Sequence, residues 1–270
     1  MILGESNEQY HADKSVSSSK LKTLMTKGAA AYEQMYLSRS YVPKQTAAMK
    51  KGSDFEDAVC GRIELAFVPD GMKLTTKEGR AFKDENAGKL IVSAADRGFF
   101  QQGVGNVRRV LDKYSLWGDE QPTFRRPYDG LPGIQARPDW FVKSKSFSVD
   151  LKTTESLHKF QYKIEDYLYH MQAAFVRVAS GIDATQHPLV VVEKSFPYPC
   201  RVVWLSEDYV RDGVDLLKRG VDKLAHHYRT QTWPLLERDS ITIQPPERTR
   251  EYLHLGRDNA NPVDLDDICF

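Results

Sequence analysis

The most constraining feature of this chain is the segment Gly133-Ile134-Gln135-Ala136-Arg137-Pro138-Asp139-Trp140-Phe141-Val142-Lys143-Ser144-Lys145-Ser146-Phe147-Ser148-Val149-Asp150-Leu151-Lys152. Two apolar-rich runs flank a short polar turn at Ser144-Lys145. Folded as a hairpin, they pair Lys143 with Ser146, Phe141 with Ser148 and Asp139 with Asp150. Directly opposed residues of an antiparallel pair share a face, with Cβ atoms ~4.5 to 5.5 Å apart, and like charges at that separation repel. Something cationic is therefore expected between the two carboxylates. Side chains alternate along a strand, so Lys152 projects on the same face as Asp150 while Leu151 turns into the core. Two carboxylates and an ammonium in one patch are a donor set suited to a hard cation, which takes a few carboxylate oxygens and completes its shell with water and phosphate.

An Asp-Leu-Lys tripeptide alone is more often a solvated surface hairpin. The combination is more specific: a Pro-Asp step, an apolar strand carrying Asp-x-Lys, a turn that sets their register, and a helix directly after.

Composition bounds the class. With 270 residues, 41% hydrophobic and 28% charged, the chain has the make-up of a soluble globular protein with a sizeable core. It shows no apolar run long enough to span a membrane and no signal peptide, so a cytoplasmic location without membrane association is expected. Cys60, Cys200 and Cys269 are too few and too scattered for a disulfide framework, a structural zinc site or an iron-sulfur cluster. The seven histidines, His158 and His226-His227 among them, show no metal-ligand spacing. A net charge of +1 is neutral on nucleic-acid binding unless the basic residues gather on one face.

Periodicity predicts mixed α/β with a central sheet. A helix capped by Ser17-Ser18-Ser19 runs to about Tyr36. A second spans Ala47 to Leu65, with Met49, Phe55, Val59 and Ile63 as its apolar stripe and Gly52 and Glu56 on a neighbouring face. Thr75 to Asp84 and Ala94 to Tyr114 are helical, the latter broken at Gly103 and Gly105. Pro122 to Tyr128 begins the strands, and Asp129-Gly130 turns it into the strand bearing Asp139. Leu157 to Ser180 is one long helix with Ile164, Leu168, Met171, Phe175 and Val178 on one face, ended by Gly181. Pro188 to Glu193 and Arg201 to Leu205 are strands, and Ser206 caps a helix through Arg229. These elements form a single domain over 1–235, with a helical N-terminal part to about residue 115 and a catalytic sheet with helices after it. Residues 236–270 form a polar, Pro-containing tail.

Arg137-Pro138-Asp139, Val149-Asp150-Leu151-Lys152-Thr153-Thr154 and Tyr169-His170-Met171-Gln172-Ala173-Ala174-Phe175 together resemble the PD-(D/E)XK nucleases, and among them the RecE-type (exodeoxyribonuclease VIII-like) phage and prophage exonucleases. Tyr10-His11-Ala12-Asp13 and the Ser17 helix start add a weaker likeness. The resemblance runs to about Thr230. It implies a restriction-endonuclease-like core, a central mixed sheet flanked by helices with an N-terminal helical elaboration.

By the same resemblance, Asp139 and Asp150 would bind metal with the Leu151 backbone carbonyl, Lys152 would position or activate water, and Tyr169 and Gln172 would shape the site from the following helix. Two departures stand out. Glu56 occupies the place of a customary His after Gly52, with Asp54 and Asp57 as neighbouring alternatives, and Val176 stands where related helices carry Tyr. The implied cofactor is Mg2+, with Mn2+ as substitute, as one or two ions. The implied reaction is hydrolysis of linear double-stranded DNA from its ends, 5'-to-3', by a ring-shaped homo-oligomer that leaves single strands for recombination. An endonuclease or repair nuclease on the same fold and a catalytically silent DNA-binding module are the alternatives.

Phosphate contacts are expected from basic residues. Lys50 and Lys51 are favoured, and Arg137 is a candidate for a terminal 5'-phosphate. Lys20, Lys22, Lys27, Arg108-Arg109 and Arg125-Arg126 are further candidates. The C-terminal Asp264-Leu265-Asp266-Asp267-Ile268-Cys269-Phe270 resembles the acidic, Phe-ended tip of bacterial single-stranded DNA-binding proteins. It suggests Asp266, Asp267, Ile268 and Phe270 as contacts for a single-strand annealing recombinase or a replication protein, the alternative being an acidic tail with no partner.

Overall fold

A computed structural model describes residues 1–181 and 187–235, and residues 1–235 form one compact unit. The polar tail, with the residues suggested above as partner contacts, lies outside the described residues. Among those described, no helix is long and apolar enough to cross a membrane.

The elements follow in the order α1 (Asn7–Ala12), α2 (Ser18–Lys27), α3 (Ala29–Tyr32), α4 (Ala47–Cys60), β1 (Leu65–Phe67), α5 (Lys77–Glu85), β2 (Leu90–Val92), α6 (Val104–Tyr114), β3 (Asp119–Glu120), β4 (Phe124–Tyr128), β5 (Leu131–Ala136), β6 (Trp140–Val142), β7 (Phe147–Thr154), α7 (Phe160–Asp166), α8 (Tyr169–Ser180), β8 (Leu189–Glu193), β9 (Cys200–Val203) and α9 (Glu207–Thr230). A mixed five-stranded sheet of order β3-β6-β7-β8-β9 forms the centre, with β1-β2 and β4-β5 as separate two-stranded pairs. Within the large sheet only β7 and β8 run parallel. A parallel neighbour needs a crossover, and α7 and α8 supply it.

Strand alternation divides the core. Trp140, Val142, Val149, Val190 and Val192 face α4 and α6, where Phe55, Val59, Val107 and Leu111 close a cluster with Phe99 and Phe100. Phe141 faces the opposite side, toward Met171 and Phe175 of α8, Leu217, Val221 and Leu224 of α9, and Leu21 and Leu24 of α2. Leu189 and Val191 share a third cluster with Phe160 and Ile164 of α7. Both faces of the sheet are thereby covered by helices.

The hairpin register is the one derived from alternation: Trp140 pairs with Val149, Phe141 with Ser148 and Val142 with Phe147. Its turn is a 3-10 segment, Lys143–Lys145, closed by the Ser146 amide on the Lys143 carbonyl at 3.2 Å.

Several boundaries differ from the sequence expectations. The Ser17-capped helix breaks at Gly28, whose φ of 89° is not helical. The next helix stops at Cys60, where Gly61 takes a left-handed conformation, so Ile63 and Leu65 lie beyond it and Leu65 opens β1. Met49 is exposed rather than part of that helix's buried stripe. Gly103 and Gly105 do not break their helix, because a π-type turn at Phe99–Gly103 leads straight into α6. The Asp129-Gly130 hairpin forms, but its return strand ends at Ala136 in the small β4-β5 sheet, and Asp139 belongs to the next stretch. The long helix from Leu157 is two helices, parted at Leu168, which takes φ 51° and ψ 42°.

Helices α8 and α9 make their closest approach at Gly213. A Cβ there would lie 2.2 Å from the His170 carbonyl oxygen and 2.6 Å from its carbon, and backbone cannot retreat as a side-chain end can. We expect Gly213→Ala to destabilise the protein by about 1–3 kcal/mol, read as a lower midpoint in calorimetric melting. An unchanged midpoint would mean that the two helices are free to separate.

Candidate active site

Strand β6 starts at Trp140, so the backbone ladder ends just where Asp139 and Asp150 meet. The side chains carry it one step further. The Asp139 amide donates to Asp150 Oδ1 at 3.4 Å, and the Leu151 amide donates to Asp139 Oδ2 at 2.6 Å. The Asp139 carbonyl accepts the Gln121 amide at 2.9 Å. Because N–H and C=O of one strand residue point to the same side, the Leu151 carbonyl also faces this junction.

Asp150 is 1% exposed, and its second oxygen is heavily engaged. Oδ2 accepts Gln172 Nε2 at 2.6 Å and His187 Nε2 at 2.9 Å, and lies 3.7 Å from Lys152 Nζ. Burial by itself would raise the carboxyl's pKa, but the Lys152 ammonium and His187 hold it well below the ordinary carboxylate range. Asp139 goes the other way: burial, then the negative charges of Glu56 and Asp150, raise it well above that range. Burial also acts to lower Lys152, but Asp150 and Asp139 outweigh it and keep the ammonium protonated beyond its usual range. Tyr169 stands under that ammonium, its ring centre 5.1 Å from Nζ, and stacks between Phe160 and Tyr167.

Glu56 comes to the same cleft from α4. Gly61 turns the chain back so that Arg62 reaches Glu56 Oε1 at 2.6 Å, Asp57 at 2.8 Å and Glu120 at 3.0 Å. Gln121 Nε2 donates to the same Glu56 oxygen at 2.7 Å. Drawn to these partners, Glu56 is not closed on the aspartates, and among the described residues no three acidic, His or Cys side chains form a ready cluster around a metal position. The donor chemistry nevertheless suits a hard cation. Asp139 meets Asp150 directly and feels the charge of Glu56, and burial together with these two charges raises its pKa, a penalty on its ionised form that a divalent ion would relieve.

A cleft of about 670 Å³ opens over these groups, lined by Glu56, Asp139, Tyr169 and Gln172, with Arg137, Lys22 and Tyr167 at its wall. Arg137 lies over the Tyr10 ring at 4.2 Å and donates to Asn7 and to the Ser6 carbonyl. Lys22 donates to the Tyr167 carbonyl at 2.9 Å.

Most of the other basic residues proposed from sequence are engaged elsewhere. Lys50 pairs with Asp54 and Lys51 with Asp96, and neither lines the cleft. Lys20 is buried and donates to the Asp13 and Ser15 carbonyls. Arg125 pairs with Glu5 and Asp13, Arg126 bonds the Val178 carbonyl, and Arg108 caps the end of α4 through the Ala58 and Val59 carbonyls. Arg62, Gln121 and His187 were not singled out from sequence. Gln121 and His187 lie far along the chain from the residues they hold, and Arg62 reaches back to Glu56 and Asp57 only because Gly61 turns the chain at the end of α4.

A sheet with its acids at the β6-β7 junction, an Asp-x-Lys strand and a helix returning Gln172 over it define the PD-(D/E)XK class of fold. Residues 17–238 match the family model described as a PDDEXK-like domain of unknown function (DUF3799), and the chain belongs to that family. No curated protein matches the sequence. Among solved structures, a protein of Eubacterium rectale provisionally named an exonuclease superposes with a TM-score of 0.62 at 15% identity, over 93% of this chain and 98% of its own. A phage-related exonuclease of Haemophilus somnus 129PT aligns over 79% of this chain and 96% of its own, at 13% identity and a TM-score of 0.33. The first of these likenesses shows the fold, and the second carries no weight here.

The opposed charges predict opposite effects for two isosteric changes in metal-free buffer. Asp139→Asn removes a repelled charge yet still accepts the Leu151 amide, so the melting midpoint should rise. Asp150→Asn strips Lys152 and His187 of their common partner and should cost about 1–3 kcal/mol. Thermal melts of the two variants beside the wild type check this, and equal shifts would contradict the charge assignment.

Proposed function

We propose that the chain is a metal-dependent deoxyribonuclease that hydrolyses the phosphodiester bonds of linear double-stranded DNA from its ends, in the 5'-to-3' direction, leaving single strands for recombination. The observation that carries this reading is the junction itself: Asp139 and Asp150 meeting at the end of the β6-β7 ladder, Lys152 beside Asp150, and Glu56 and Gln172 reaching the same cleft from two helices.

Asp139, Asp150, the Leu151 carbonyl and Glu56 would hold Mg2+, or Mn2+ in its place, as one or two ions. Such an ion supplies Lewis-acid polarisation of the phosphoryl oxygens and a lowered pKa for bound water. The chain's own residues do the rest. Lys152, kept charged by its two aspartates, is unsuited to accept a proton and suited to orient the attacking water and stabilise charge growing on the phosphate. Gln172 holds one oxygen of Asp150, and Tyr169 supports the Lys152 ammonium from below. Arg137 and Lys22 at the cleft wall are positioned for sequence-independent phosphate contacts, with Arg137 the better placed for a terminal 5'-phosphate. A ring-shaped homo-oligomer and docking of a recombination or replication partner on Asp266, Asp267, Ile268 and Phe270 extend the proposal beyond the described residues.

End-labelled linear duplexes bearing 5'-phosphate or 5'-hydroxyl, assayed with and without Mg2+ beside closed circular DNA, test the reading. We expect degradation of linear duplex only, dependent on the ion, and a loss of roughly 10²–10³-fold or more in Asp150→Asn and Lys152→Met. Cutting of closed circles would favour an endonuclease. Undiminished degradation by Asp150→Asn would remove the catalytic assignment altogether. Arg137→Ala should weaken binding of a 5'-phosphorylated end more than that of a 5'-hydroxyl end, as measured by fluorescence anisotropy without metal.

A further inference from the structure

A buried chain of three polar side chains lies behind the site. Ser148 and Asp150 share one face of β7, and His187 lies two residues before the start of β8, which runs parallel to β7 with Asp150 aligned on Leu189. His187 thus enters the sheet beside both. Its Nδ1 lies 2.6 Å from Ser148 Oγ, and its Nε2 lies 2.9 Å from Asp150 Oδ2. Ser148 is 1% and His187 5% exposed, so neither can touch DNA or serve as a nucleophile. An ionised carboxylate only accepts, which places a ring hydrogen on Nε2, and the Ser148 hydroxyl, able to donate or accept, completes the ring's bonding at Nδ1.

The consequence falls on Asp150. Its Oδ2 receives Gln172 and His187, whereas among the described residues Oδ1 meets only the Asp139 amide, at the long distance of 3.4 Å. The two donors fix the plane of the carboxylate and leave Oδ1 directed at the Asp139 side of the junction. Gln172 belongs to the cleft and will feel bound substrate, but the Ser148-His187 pair is enclosed by the sheet and is set by the fold alone.

We propose that His187, oriented by Ser148, is a positioning residue that presents Asp150 Oδ1 to the catalytic cation and thereby sets the affinity of the site for metal. The inference rests on the nuclease reading above. It follows the general pattern in which a hydrogen-bonding partner behind a ligand carboxylate tunes metal affinity by ~10–100-fold.

The test is Mn2+ binding to the full-length protein without DNA, followed by electron paramagnetic resonance and by calorimetry, with Asp150→Asn as reference. His187→Leu should weaken Mn2+ binding ~10–100-fold, while His187→Gln, which keeps an N–H donor of similar reach, should restore most of it. Ser148→Ala leaves the ring in place but frees its orientation and should fall between wild type and His187→Leu. Circular dichroism establishes that each variant is folded, and if His187→Leu is not, Ser148→Ala and His187→Gln decide. Wild-type affinity in His187→Leu or Ser148→Ala, or a His187→Gln no better than the Leu variant, would overturn the positioning role while Asp150→Asn still loses the ion. If the wild type holds no Mn2+ that Asp150→Asn abolishes, the metal-dependent reading fails together with the inference.

Discussion

The rest of the site depends on the repulsion between Asp139 and Asp150. Each is a carboxylate in a setting that disfavours its charge, and the register of β6 on β7 leaves them no way to part. The surrounding residues are answers to that problem. Lys152, His187 and Gln172 gather on Asp150 and keep it ionised, and the strain of the arrangement is left on Asp139. A pair balanced in this way has one firmly charged member and one whose charge is easily tipped, which is the condition for a site that gains from receiving a cation.

The apolar faces hold this arrangement in place. Trp140 and Val149 alternate with Phe141, Ser148 and Asp150, so each strand of the hairpin carries its core residues and its site residues in strict rotation. The helices that cover the sheet are the ones that complete the cleft: α4 brings Phe55 and Val59 to the core and Glu56 to the site, and α8 brings Met171 and Phe175 to the core and Gln172 to Asp150. Packing and chemistry are separated by one residue on each element.

How much of this was legible in the sequence follows from how local each feature is. The register of Asp139 on Asp150 was readable because a period of two and a short turn leave one answer. The placement of Gln172 followed from helical spacing and from a family resemblance. The division of the long helix at Leu168 was hidden because the apolar stripe runs across it unbroken from Ile164 to Met171, and a single left-handed residue leaves no trace in periodicity. Strands β1 and β2 are three residues each and pair only with one another, too short for a pattern. Gln121 and His187 act across 65 and 37 residues of chain, and adjacency of that kind is a property of the fold, whereas Arg62 meets Glu56 six residues back through the left-handed turn at Gly61. The partner of Lys51, Asp96, stands on a distant segment, whereas Lys50 pairs with Asp54 one helical turn on, a partner that spacing alone offered.

The strict rotation of core and site residues on the hairpin has a consequence for how this protein can fail. A slip of one residue between β6 and β7 would turn Asp150 toward Phe55 and Leu111 and bring Val149 to the cleft. Burying that carboxylate among apolar side chains, away from Lys152, His187 and Gln172, would cost several kcal/mol, so the packing of the core itself selects the register that brings the two acids together.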